Sequence, residues 1–233
     1  MKNCILISLL AFTVSCGNGG NSSSSTNTPT GPSSVTQTIT QSFGQSFSKA
    51  GAGYYATVNS EIFSAEPLSY LYGQPILHQS TASSKRKAYI ALEGDNVSGF
   101  GASFFDATGE KDPFSFIGLS GNRSSPLNGG SYVYDGTYMT AKAQAQNSAV
   151  FIQPMTINVN FNRQTISGET YDVINVDENA TLEGRFSGSD ISVTINDQYG
   201  THSGAGSFYG NSANELAVGF SNMDISGLIY GKK

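Results

Sequence analysis

The sequence predicts an all-β protein in which a C-terminal eight-stranded antiparallel β-barrel follows a smaller N-terminal β-rich domain. Glycine is abundant, with 27 of 233 residues, and charged residues make up only 12% of the chain, against about a quarter in ordinary soluble proteins. In the region 126–233, short segments alternate apolar and polar residues, with turn residues about every 8–12 positions, as in sandwiches and barrels. Eight such segments can be counted, and eight strands close a small barrel that its own side chains can fill.

The clearest of these segments is the hairpin predicted at residues 204–221. Leu216, Val218 and Phe220 alternate with small residues, as a strand with one buried face requires. The sequence Gly-Asn-Ser-Ala-Asn before them is typical of a turn. Two glycines interrupt the preceding strand, where glycine marks a tight bend or a close approach of backbones.

The other barrel strands show the same alternation. We expect them at residues 132–145, 150–161, around Ile166, and at 182–186, 191–195 and 225–230.

The region 40–125 is less regular and forms the predicted smaller domain. Strands are expected at residues 54–58, 88–92 and 99–105. Residues 67–72 are expected to form one helical turn, because proline is favoured at the first helical position and Gly73 follows the turn.

Residues 1–15 are typical of a secretory signal peptide. A short basic start precedes an apolar run at 5–14 that is too short to span a membrane. The sequence Thr-Val-Ser-Cys at 13–16 resembles the lipobox of bacterial lipoproteins. This resemblance implies acylation of Cys16 and, with Gly17 next, a lipid anchor in the outer membrane. The alternative is an ordinary signal peptide cleaved elsewhere, with Cys16 left free.

Residues 16–39 are expected to form the lipidated cysteine and a disordered tether. Val35 is the only apolar side chain in residues 17–36, so burial cannot offset the entropy of ordering them. The other cysteine, Cys4, lies in the predicted signal, which leaves the mature chain no thiol for a disulfide, a metal site or a nucleophile. The formal net charge of −5 disfavours nucleic acid as a partner.

Residues suited to catalysis are scarce. His78 and His202 are the only histidines, and neither has metal-ligand spacing to a second His, a Cys or a Glu. Ser120 lacks the nucleophile-elbow pattern. The acidic residues within 172–178 have no ordered ligand spacing, so we interpret them as solvated. The sequence therefore predicts a protein that is not an enzyme and has no metal site or required cofactor.

Four segments of the C-terminal half, in order, resemble the transferrin-binding protein B family. They are YDGTY at 134–138, NVNFNRQTISG at 158–168, ATLEGRFSGSDISVTIN at 180–196 and the FYG…A…EL…F pattern of the last hairpin. Tyr138 stands where the family often has Trp, and Asn160 replaces an acid. The resemblance implies a surface lipoprotein of Gram-negative bacteria, exported by an outer-membrane translocator. It also implies a lobe made of a small handle domain, here 40–125, and an eight-stranded barrel, here 126–233.

The resemblance further implies a host-facing lipoprotein that binds a protein ligand through handle-side loops, in iron or haem acquisition or in host interaction. Aromatic side chains on loops are favoured anchors in protein interfaces. The candidate ligand-binding aromatics are Tyr54, Tyr55, Tyr70, Tyr72, Phe104 and Phe105. The alternative for each is that it fills the handle core.

Two other functions stay open. A haem-binding carrier needs an enclosed pocket and iron ligands, for which His78 and His202 are the candidates, since imidazole suits axial ligation of haem iron. The alternative is that both histidines are exposed loop residues, His202 in a loop at 197–203. A host colonisation or specificity factor with no nutrient role has no residue signature that separates it from the first function.

Overall fold

The computed structural model describes residues 35–37, 48–50, 53–58, 61–65, 69–71, 74–76, 84–124, 129–144, 148–171 and 179–233. The predicted signal peptide, Cys16 and most of the predicted tether lie outside these residues.

In the described part of the chain, nine strands precede the barrel. They are β1 (Val35–Gln37), β2 (Ser48–Ala50), β3 (Gly53–Val58), β4 (Glu61–Ala65), β5 (Ser69–Leu71), β6 (Gln74–Ile76), β7 (Lys85–Glu93), β8 (Val97–Asp106) and β9 (Phe114–Gly121). Strands β1, β9, β8 and β7 form an antiparallel sheet in that order, which we call the handle sheet. Strands β2 to β4 form a three-stranded sheet, and β5 and β6 form a hairpin.

The C-terminal half forms a closed barrel of eight antiparallel strands. They are β10 (Ser131–Ala143), β11 (Ser148–Asn160), β12 (Thr165–Thr170), β13 (Thr181–Ser187), β14 (Asp190–Asp197), β15 (Gly200–Tyr209), β16 (Glu215–Ser221) and β17 (Ile225–Lys232). Each strand pairs with the next, and β17 pairs with β10 to close the barrel. The prediction of an all-β chain with an eight-stranded barrel and a smaller β-rich part is confirmed.

In β13 and β14 the apolar side of the strand faces the lumen. In β13, Leu182 and Phe186 are buried, whereas Thr181, Glu183 and Arg185 are exposed. Strand β14 repeats this alternation over its whole length. Barrels that span an outer membrane have the opposite arrangement, with an apolar outer band and a polar interior. This barrel is therefore held by an apolar core and presents a polar outer wall from β13 to β14.

The handle sheet is buried on both faces. Successive side chains of a strand point to opposite faces. Along β7, Ile90 and Leu92 pack in one apolar cluster with Leu228 of the barrel wall. Tyr89 packs on the other face, where its ring lies 5.8 Å from that of Phe63 on β4. The barrel therefore covers one face of the sheet, and β4 contributes to the cover of the other.

The helical turn predicted at residues 67–72 is wrong. Residues Ser69–Leu71 form strand β5, which pairs with β6 so that Leu71 lies opposite Gln74. Only two residues separate the strands, and glycine in such a short connection is a hairpin signal.

Candidate functional site

The barrel lumen is a packed core at the end that carries the 3-10 turn Asn211–Ala213. The ring of Phe208 lies 5.0 Å from that of Phe186 and 5.2 Å from that of Phe161. The Tyr134 hydroxyl donates a hydrogen bond of 2.5 Å to the backbone carbonyl of Ala213. These contacts close this end of the barrel with the protein's own aromatic side chains.

The opposite end of the barrel carries a buried hydrogen-bond network centred on Asp197. The Tyr138 hydroxyl donates to Oδ2 of Asp197, and the backbone N–H of Tyr199 donates to Oδ1 at 2.7 Å. His202 Nε2 lies 3.1 Å from the same Oδ1, and Asn222 Nδ2 lies 3.4 Å from His202 Nδ1. Because the Asn222 amide nitrogen is a donor, His202 accepts at Nδ1 and donates from Nε2 to the carboxylate.

Asp197 is a buried carboxylate stabilised by its donors. Burial is the largest influence on the pKa of Asp197 and on its own raises it. The hydrogen bonds from His202, Tyr138 and the Tyr199 backbone outweigh burial, so the pKa of Asp197 lies below its usual value. Burial first, and then the Asp197 charge, raise the pKa of Tyr138 far above its usual value. The Tyr138 hydroxyl therefore stays protonated and the Asp197 carboxylate stays ionised. Their hydrogen bond fastens the β14–β15 hairpin to β10.

His202 lies in a strand and not in the loop predicted at 197–203. It belongs to β15, opposite Ile195, and only 4% of its side chain is exposed. The connection between β14 and β15 is a two-residue turn, so the strand pairing continues past the histidine. Its ring stacks on Phe220 at 5.1 Å. Both ring nitrogens have partners in the network, and an iron ligated by His202 would have to displace one of them.

The other sequence-predicted residues lie outside the described residues, in the short strands β3 and β5, or in β8. His78, Tyr72 and Cys16 lie outside the described residues. Tyr54 and Tyr55 lie in β3 and Tyr70 in β5, so these three belong to strands.

Phe104 packs in the core of the handle sheet, which agrees with the alternative interpretation given above. Its ring is fully buried and stacks on Phe114 at 4.9 Å. Phe105, the next residue along β8, is half-buried. Of the two, only Phe105 has surface to offer a partner.

A groove of about 500 Å³ lies on the outer face of the barrel beside the turn between β7 and β8. The turn contributes Glu93 and Asp95, and the barrel contributes Asp135, Tyr171 and Lys232. Lys232 Nζ donates a hydrogen bond of 2.6 Å to Asp95 Oδ2. The groove therefore joins residues of the handle sheet to residues of the barrel.

Sequence reasoning missed the partners of His202 and the whole groove. Asp197 is five residues from His202 and could have been found from the hairpin pattern, but Tyr138 is 59 residues from Asp197. Asp95 and Lys232 are 137 residues apart. Only the strand register brings such pairs together.

Within the described residues, no group of three or more His, Cys, Asp or Glu side chains is placed to hold a metal ion. Over the same residues, no helix has the length and apolar character needed to cross a membrane.

The comparisons with known proteins identify the barrel. Residues 124–232 match the family described as C-lobe and N-lobe beta barrels of Tf-binding protein B. No curated protein matches the chain. Its fold is similar to the apo haemoglobin receptor HpuA from Kingella denitrificans, with 10% identity, a TM-score of 0.53, and 85% of this chain and 86% of that chain covered.

Two further solved structures are similar. HpuA from Kingella denitrificans in complex with human haemoglobin gives 11% identity and a TM-score of 0.51, covering 88% of this chain and 89% of that chain. Intact Ap-TbpB, with N and C lobes, gives 14% identity and a TM-score of 0.49 over 80% of this chain, which spans 42% of that protein. Together with its motifs and its closed barrel, the family match makes residues 124–232 similar to the beta barrels of transferrin-binding protein B.

Proposed function

We propose that this chain is a surface-exposed outer-membrane lipoprotein that binds a host protein, in iron or haem acquisition or in host interaction, and that it has no catalytic activity. The observation that carries the proposal is the packed lumen. Small-ligand barrels keep a cavity at their mouth, whereas here Phe161, Phe186 and Phe208 fill one end and a closed polar network occupies the other. Recognition therefore falls to the outer surface, which suits a protein ligand.

The fold supports the same proposal. The fold of HpuA in complex with human haemoglobin matches over 88% of this chain and 89% of that one, which supports a host protein as the ligand. Because fold does not fix function, the ligand has to be found by experiment.

The test uses the full chain on intact Gram-negative cells. Labelled human haemoglobin and human transferrin are added, and bound label is measured by flow cytometry beside protease shaving of the surface. We expect shaving to remove the protein and one host protein to bind saturably, with cells expressing Cys16→Ala as the unanchored control. A protein that resists shaving, or that binds neither these proteins nor any component of host serum, would overturn the proposal.

Growth distinguishes the nutrient role from a colonisation factor. If the bound host protein supports growth as the only iron source in cells with this chain and not in cells without it, the role is nutritional. Binding without any growth advantage assigns the chain to host interaction.

A further inference from the structure

The groove beside the β7–β8 turn has a rigid wall. Glu215 is fully buried at the start of β16, and its two carboxylate oxygens accept the backbone N–H groups of Asp95 and Asn96 at 2.9 Å each. A Cβ atom at Gly94 would lie 2.8 Å from the Glu215 carboxylate, so only glycine fits there without a shift. The backbone of the turn is therefore clamped to the barrel before any partner arrives.

The groove is acidic. Its charged lining residues are Glu93, Asp95, Asp135 and Lys232, three acids and one base. The Lys232 ammonium bonds to Asp95, although Asp135 lies opposite Lys232 in the pairing of β10 with β17. A further acid, Glu169 on β12, lies in the same cross-strand row as Asp135. Asp135 lies opposite Thr156 on β11, and Thr156 lies opposite Glu169. Lys232 is thus engaged by Asp95, and this face keeps the further carboxylates of Asp135 and Glu169.

An exposed aromatic ring stands at the rim of the groove. Tyr171 follows the last residue of β12 and is 60% exposed, one of few large apolar side chains with that exposure among the described residues. Tyrosine binds cations on its ring face and is enriched at protein interfaces. Carboxylates and an exposed ring that line the same groove are the combination that a guanidinium or an ammonium group recognises.

We propose that this groove receives a lysine or arginine side chain from the surface of a protein partner. The inference rests on the proposed function, because the partner is the host protein of that proposal, and it names the part of the surface that meets it. The chain's own neighbouring segment is a poor occupant, since residues 172–178 carry Asp172, Asp177 and Glu178 and no base. The C-terminal Lys233 is engaged elsewhere, 4.2 Å above the Tyr132 ring.

The test does not depend on knowing the host protein. The full chain carrying Cys16→Ser, which cannot be acylated, is titrated with acetyl-Gly-Arg-Gly-Lys-Gly-amide at low salt, and binding is mapped from backbone amide chemical shifts. The acidic peptide acetyl-Gly-Glu-Gly-Gln-Gly-amide is the control ligand. We expect saturable shifts at Glu93, Asp95, Asp135 and Tyr171 with the basic peptide only, weakening as salt shortens the Debye length below about 10 Å.

Variants separate the groove from the general acidity of the chain. Asp95→Asn with Asp135→Asn is expected to raise the dissociation constant at least about fivefold, and Tyr171→Ala about two- to fivefold, the range of an exposed cation–π contact. The charge-matched control is Glu110→Gln with Glu183→Gln, two exposed acids elsewhere on the surface, which we expect to change binding less than about twofold.

The outcomes are distinguishable. Absent shifts, shifts spread over the whole surface, or equal weakening by the two double variants would overturn the inference. Failure of intact cells to bind any host protein, with peptide binding confined to the groove, would overturn the proposed function and leave a cation-binding groove in place.

Discussion

Tyr138 and Gln153 lie opposite each other on β10 and β11, yet of these two side chains only that of Tyr138 has a hydrogen-bond partner among the described residues. The Gln153 side chain is buried, with 3% of the residue exposed, and both its amide oxygen and its amide nitrogen lack a partner. A buried polar group without a hydrogen bond costs stability. Gln153 is therefore a destabilising position within the barrel wall.

Replacing Gln153 with methionine should stabilise the protein. Gln153→Met keeps the length of the side chain and removes the unpaired amide, so we expect the free energy of unfolding to rise by about 1–2 kcal/mol. Urea denaturation measures the change, with Gln198→Met in the exposed β14–β15 turn as the control, expected to stay within about 0.5 kcal/mol. A lower free energy of unfolding for Gln153→Met would show that the amide has a stabilising partner.

Removing the Glu215 carboxylate should loosen the β7–β8 turn. Glu215→Ala leaves the N–H groups of Asp95 and Asn96 without their acceptor, and we expect a loss of about 2–4 kcal/mol in the free energy of unfolding. Hydrogen exchange of those two amides should accelerate more than that of amides in β13. The exposed Glu183→Ala is the matched control, and equal effects of the two variants would contradict the clamp.

Glu61 should make stability fall in acid. The hydrogen bond from Lys111, at 2.5 Å, and the charge of Lys87 lower the pKa of Glu61 from 4.5 to about 2, against the opposing effect of burial. Because the folded pKa is depressed, the stabilisation is complete above pH 4.5 and is lost as the pH falls toward 2. The Glu61→Gln variant should therefore lose less stability over this interval, measured as the urea midpoint at several pH values. Parallel curves for the two proteins would count against the ion cluster.

Hemin should not find a ligand in His202. Both ring nitrogens are engaged, and the ring is stacked on Phe220, so we expect no red-shifted Soret band that depends on this residue. Hemin titration of the wild-type chain, of His202→Ala and of the double variant His78→Ala, His202→Ala measures this. A Soret shift that disappears in His202→Ala would instead support the haem-binding carrier, and one lost only in the double variant would point to His78.

Export should require an intact barrel. Truncation before Gly204 removes β16, β17 and most of β15, which leaves β10 and β14 with unpaired edges that invite aggregation. We expect the truncated chain to be degraded or retained in the periplasm, whereas a partial deletion within residues 17–36 leaves surface display intact. Protease shaving of intact cells compares the two, and an undegraded truncated chain at the surface would refute the prediction.

The barrel was predictable because its signal is local. Strands β13 and β14 alternate buried and exposed residues with a period of two, and a short turn separates them, so the pattern of β14 can be read from eight consecutive residues. The handle sheet lacks that signal because both of its faces are buried. Strand β9 illustrates this, since its residues from Phe114 to Leu119 are all buried and show no alternation.

The candidate sites were less predictable because they depend on register. The sequence singled out His202 and placed it in a loop, whereas pairing with Ile195 puts it in the barrel wall. The groove combines a turn of the handle sheet with strands β10 and β17, and no single segment contains its pattern. Phe104 was a candidate by composition, but the face of a strand on which a residue lies decides whether it meets the core or a partner.

The double burial of the handle sheet has a mechanical consequence. Ile117 and Leu119 pack with Ala217 and Leu228 of the barrel in one apolar cluster, so shearing the sheet along the barrel would bring apolar surface into water. A force applied to the handle sheet is therefore resisted by this buried apolar contact and transmitted to the barrel wall.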